Sequence, residues 1–112
     1  MRINTKSKDN GIVLSLDGKV IGDSVSQLKQ TVDESIGSGI DWLIIDLAEV
    51  PLMDSSALGT VIAAFLRLQE KNGKLVLLKA QKSILDVLAI TKLDSLFEVY
   101  DDMQAALEAV NS

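Results

Sequence analysis

The chain has 112 residues, 47% of them hydrophobic and 24% charged, with a formal net charge of −5 and a positive mean hydropathy. These values suit one domain over residues 1–112 with a sizeable core, and they exclude an intrinsically disordered chain. The acidic balance leaves no basic patch for nucleic acid, and the absence of cysteine and histidine removes disulfides, thiolate metal sites, a Ser-His-Asp triad and a Cys nucleophile.

In chain order, Met1-Arg2-Ile3-Asn4-Thr5-Lys6 lacks the apolar core of a signal peptide. Residues 2–8 and 12–19 read as two short strands joined at Asp9-Asn10-Gly11, where Asn-Gly predicts a type I′ hairpin turn. In the second strand Ile12, Leu14 and Leu16 alternate with Val13, Ser15 and Asp17, so one face is the better buried. Ser24-Val25-Ser26-Gln27 has the pattern of a capping box. Val25, Leu28, Val32 and Ile36 then mark a first helix, which Gly37 is placed to end.

Trp42-Leu43-Ile44-Ile45-Asp46-Leu47 is an apolar run rich in β-branched residues and reads as a buried strand. Pro51 stops it. Downstream, Leu58, Val61, Ile62, Phe65 and Leu68 recur at helical spacing, which predicts a second helix from about Ser55 to Lys71, closed by Asn72-Gly73. Asp54 or Ser55 can cap it. Residues 61–66 form the longest apolar run, far short of the ~20 residues that cross a bilayer, so the expectation is a cytoplasmic protein without membrane insertion.

Leu75-Val76-Leu77-Leu78 is a further buried strand. Residues 81–91 form a short helix with Ile84, Leu85 and Leu88 inward and Ile90 as a further candidate. Residues 96–100 read as a final strand. Asp101-Asp102 places negative charge on the first turn of a last helix bearing Met103, Ala106, Leu107 and Val110. The order ββαβαβαβα predicts an α/β fold: a mostly parallel mixed sheet with helices, its antiparallel part being the opening hairpin. Ile44, Leu47, Val61, Phe65, Val76, Leu77 and Leu88 are the expected core.

The chemistry converges on the junction 50–59, where two hydroxyls and a carboxylate meet a positive helix end. No phosphate-binding glycine loop is present, and no Lys lies near Ser55 in sequence for a Ser–Lys mechanism. Asp46, Glu49 and Asp54 could hold Mg²⁺; the plainer reading is solvated loop carboxylates, one of them a cap. Asp46 and Lys79 at strand ends resemble a phosphorelay receiver, but the acidic pair after the first strand is reduced to Asp9 in a turn. Gly59 suggests close backbone packing. Leu52 and Met53 are either core edge or partner contact.

Met53-Asp54-Ser55-Ser56-Ala57-Leu58-Gly59, following the strand that ends in Asp46-Leu47, resembles the signature of the STAS domains. It is most similar to that of the stand-alone bacterial anti-sigma factor antagonists, in which Asp-Ser-Ser-Gly or Asp-Ser-Thr-Gly is followed by Leu-Gly. Ala57 stands where Gly is common. The resemblance implies the STAS fold, no catalytic residues, no metal and no cofactor. It implies that Ser55 accepts a phosphate from an anti-sigma factor with serine-kinase activity. A metal-dependent serine phosphatase would remove it again. Met53, Asp54, Ser55, Ser56, Ala57 and Gly59 would form the partner surface, with Ser56 in a structural role. The same fold also leaves open a switch on a non-sigma target, a stress-sensing scaffold and a transporter subunit. A nucleotide- or anion-binding module at the helix end is the reading from a different class.

Overall fold

Alternating strands and striped helices can bury their apolar faces together only by layering, and the computed structural model, which covers residues 1–112, shows that layering. The elements are β1 (Arg2–Lys8), β2 (Gly11–Asp17), α1 (Ser24–Gly37), β3 (Trp42–Glu49), α2 (Ser55–Glu70), β4 (Lys74–Leu78), α3 (Lys82–Ile90), a 3-10 turn at Leu93–Ser95, β5 (Val99–Tyr100) and α4 (Met103–Val110). The sheet runs β1-β2-β3-β4-β5, with β1 antiparallel to β2 and every later pair parallel. This is the α/β order read from the sequence.

A sheet in chain order with right-handed crossovers places α1, α2 and α3 on one face. There Ile12, Leu14 and Leu16 of β2 and Leu43, Ile45 and Leu47 of β3 join Leu28, Val61, Leu68 and Leu88 in the main core. The opposite face is covered by α4, whose Ala106 and Val110 pack on Val13, Trp42, Ile44, Val76 and Leu78. Each fully buried Leu or Ile contributes about 1.5–3 kcal/mol. Of the expected core residues only Phe65 is half-buried; it meets Phe97 edge-on, ring centroids 5.4 Å apart.

Several local expectations are corrected. Lys8 pairs with Gly11, so the hairpin turn is Asp9-Asn10, and only Asp9 of these has a positive φ, 51°. Gly11 serves another purpose: a Cβ there would fall into the Trp42 ring. No capping box forms at Ser24, because its hydroxyl donates to Ile21 O and Lys19 O instead. Gly37 does end α1 and Asn72 (φ 62°) does close α2 in the left-handed region, while the left-handed residue beyond α1 is Gly39. Gly73 is needed for space, since a Cβ would lie 2.8 Å from Asp41 O. Ile90 is 81% exposed and Leu85 41%, so α3 buries only Ile84 and Leu88 fully. The last strand shrinks to two residues, and Asp102 is the cap of α4 rather than part of its first turn.

Candidate functional site

Pro51 has no N–H to continue a ladder, and the backbone of 50–54 is held by other means. The loop between β2 and α1 lies alongside it: Gly18 N donates to Glu49 O (2.9 Å), Val20 N to Leu52 O (2.9 Å) and Asp54 N to Val20 O (3.2 Å), and Val20 and Met53 form a parallel bridge. From the other flank Gln81 Nε2 donates to Ala48 O and Ser83 Oγ to Pro51 O, both at 2.8 Å. The junction is therefore clasped from two sides by segments about 30 residues away in either direction.

Asp54 is in extended conformation (φ −85°, ψ 177°) and is the N-cap of α2. Its Oδ1 accepts from Ala57 N at 2.9 Å and from Ser56 Oγ at 2.7 Å, while Oδ2 accepts from Gly22 N at 3.1 Å. The Ala57 N–H first, then the Ser56 hydroxyl and the Gly22 N–H, hold the carboxyl below its ordinary 3.8, because each bond is made to the charged form. The sequence left Asp54 and Ser55 as rival caps; the geometry selects Asp54.

That choice separates the two serines. Ser56 Oγ spends its proton on Asp54. Ser55, exposed at the first position of α2, makes no side-chain hydrogen bond. An open hydroxyl thus stands at a helix end whose first N–H groups point outward, where the dipole favours negative charge.

The other singled-out residues divide between surface and core. Gly59 is exposed, and no atom lies within 4 Å of the place its Cβ would occupy, so it serves no internal packing. Met53 (5% exposed) and Ala57 (0%) lie beneath the junction in the main core. Their side chains shape the loop from below, and the Ala57 methyl does not reach the surface. Leu52 is 44% exposed and Ile21, in the neighbouring loop, 39%. Ile21 and Gly22 were missed in the sequence because only tertiary hydrogen bonds bring their loop here. The three carboxylates do not gather: Asp46 Oδ1 accepts locally from Ala48 N, Asp54 is committed as described, and the chain has no group of three or more acidic residues placed to hold a metal ion. No helix is long and apolar enough to cross a membrane.

The model of the STAS domain matches residues 2–106. A Thermotoga neapolitana protein named as a candidate anti-sigma factor antagonist is 29% identical over 82 residues, 73% of this chain and 73% of its own length. An anti-sigma factor antagonist from Mycobacterium paratuberculosis superposes with a TM-score of 0.90 at 22% identity, covering 99% of this chain and 94% of that one. The Bacillus cell fate determinant SpoIIAA in its phosphorylated form superposes with a TM-score of 0.78 at 20% identity, covering 97% and 99%. At such identities the structural likeness speaks for the fold.

Proposed function

The chain belongs to the STAS domain family, and from that premise we propose that it is an anti-sigma factor antagonist that works by partner switching. The unmodified domain binds an anti-sigma factor with serine-kinase activity and so frees the sigma factor. The kinase then transfers phosphate to Ser55 and the product dissociates. A metal-dependent serine phosphatase restores the active form. The reading places all of this in the cytoplasm, on one domain over residues 1–112.

The observation that carries this reading is the division of labour between adjacent hydroxyls. Ser55 Oγ is open to attack the γ-phosphorus of ATP held by the kinase; an O–P bond forms, the bond to the leaving ADP breaks, and the hydroxyl proton passes to a base on the kinase. Ser56 would first have to leave Asp54, and doing so would loosen the cap. The chain supplies the accepting hydroxyl and a docking surface; with no histidine and no cysteine it has neither a Ser-His-Asp triad nor a Cys nucleophile. The named relatives support the anti-sigma partner.

Incubation with the cognate GHKL-type kinase and ATP, followed by mass mapping, is expected to find one phosphate on Ser55 and none on Ser56. Phosphate on Ser56, or undiminished labelling of Ser55→Ala, would overturn the assignment.

A further inference from the structure

The two cores of the sheet are held unequally. The main core counts 23 buried residues. The smaller one has seven, and α4 gives only Ala106 and Val110 to it. At eight residues, α4 is too short to keep its shape without the sheet beneath it. The strand that leads into it, β5, pairs with β4 over two residues only.

One side chain ties down the far end of α4. Lys74 Nζ donates to Ala109 O at 3.0 Å, to Ser112 O at 2.9 Å and to Ser112 Oγ at 3.0 Å. Ala109 lies in the last turn, where carbonyls lack helical partners and the dipole favours a cation. Lys74 is therefore a latch, closing on residues 35 and 38 positions further along the chain.

Beside the latch lies a defect. Lys74 stands directly opposite Trp42 on the neighbouring strand, so the two side chains share a face of the sheet. Trp42 is 1% exposed, and its Nε1–H meets no acceptor in the chain. A buried donor left unpaired weakens the closed arrangement, and water satisfies it on opening.

We propose that α4 is a detachable flap: latched by Lys74 over an unpaired Trp42, it comes away from the sheet while the main core stays closed. Its departure uncovers Val13, Trp42, Ile44, Val76 and Leu78, a second apolar surface on the face opposite α2. This device belongs to the fold and does not depend on the function proposed above.

The test is hydrogen exchange on the full chain, followed residue by residue by NMR. Trp42 is the one tryptophan, so its indole N–H reports directly on the covered face. With intrinsic rates divided out, amides 106–111 and the indole N–H are expected to exchange together, about a hundredfold or more faster than the β3 amides. Val61→Ala, in the main core, should speed β3 about tenfold and leave α4 and the indole within about twofold of the parent. Lys74→Met keeps the apolar stem and loses the three bonds, and should speed α4 and the indole about tenfold. Circular dichroism confirms that both variants fold; the parent chain alone already decides. Exchange of α4 or the indole at the β3 rate in the parent overturns the flap. So does acceleration of α4 by Val61→Ala as large as that of β3, or unchanged α4 exchange in Lys74→Met.

Discussion

Two helices of this domain begin with the same local device and put it to different ends. Asp54 caps α2 by accepting from Ala57 N, and Asp102 caps α4 by accepting from Ala105 N at 2.8 Å. Position by position the sequences run Asp-Ser-Ser-Ala-Leu-Gly and Asp-Met-Gln-Ala-Ala-Leu. In α4 the first and fifth helical residues, Met103 and Leu107, pack against the smaller core. In α2 the same two places hold Ser55 and Gly59, both exposed and neither used in packing. The second difference is reach. Only Asp54 extends its other oxygen to a distant loop, at Gly22. Capping alone therefore marks a helix start; what sets the start of α2 apart is the pair of positions that packing leaves empty and the tie that keeps them in place.

The comparison is sharpened most by phosphate at Ser55. Inside the domain the phosphate meets a favourable helix end and an unfavourable Asp54, terms that offset each other, so stability should stay within about 1 kcal/mol of the parent. In the partner's site, shaped for a hydroxyl, the cost should be about 2–4 kcal/mol, or roughly 30- to 1000-fold weaker binding. Calorimetric melting and partner affinity measured on the same samples decide it; melting that collapses in step with binding would make unfolding the switch.

The caps come next. Asp102→Ala removes one cap bond and should cost about 1 kcal/mol. Asp54→Ala removes three hydrogen bonds and unties the Gly22 loop, so its Tm at pH 7 should fall further than that of Asp102→Ala. Equal losses would mean that the reach to Gly22 is idle. The pH profile follows from the sign of the shift. The folded carboxyl titrates below its ordinary 3.8, so its contribution is fully present above that value and is lost as pH falls through the depressed one. The gap between parent and Asp54→Ala should be flat near neutrality and narrow only below about pH 3.8.

The smallest effects concern the fifth position. Leu107→Ala should cost about 1–2 kcal/mol through lost burial. Gly59→Ala should instead stabilise by about 0.5–1 kcal/mol, with a Tm raised by a few degrees. A loss of stability in Gly59→Ala would show that some internal packing does need the glycine.

The order of elements was legible because hydrophobic period separates strand from helix wherever a face is buried. The stripes through Leu28, Val32 and Ile36 and through Leu58, Val61 and Leu68 all became core faces. Local signals misled where a residue type has two uses. Asn10-Gly11 looked like a turn, but its glycine makes room for Trp42. Ser24 looked like a cap, but its hydroxyl turned back to the preceding carbonyls. Ile90 fits an apolar pattern yet ends up on the surface, since periodicity cannot say where the covering layer stops. At the site, the signature singled out Asp54 and the serines. It could not say which hydroxyl is free, nor supply Gly22 or Ile21, whose places depend on contacts between distant loops.

The tie between Asp54 and Gly22, together with the Val20–Leu52 ladder, makes the site discontinuous. A peptide copied from residues 50–60 would keep the serines and lose the scaffold that presents them, so it should be a far poorer substrate than the intact chain. Recognition of this kind reads conformation as well as composition. On the proposed function, a kinase that reads it would modify only molecules that have finished folding, and damage to the remote loop would silence the signal before it unfolded the domain.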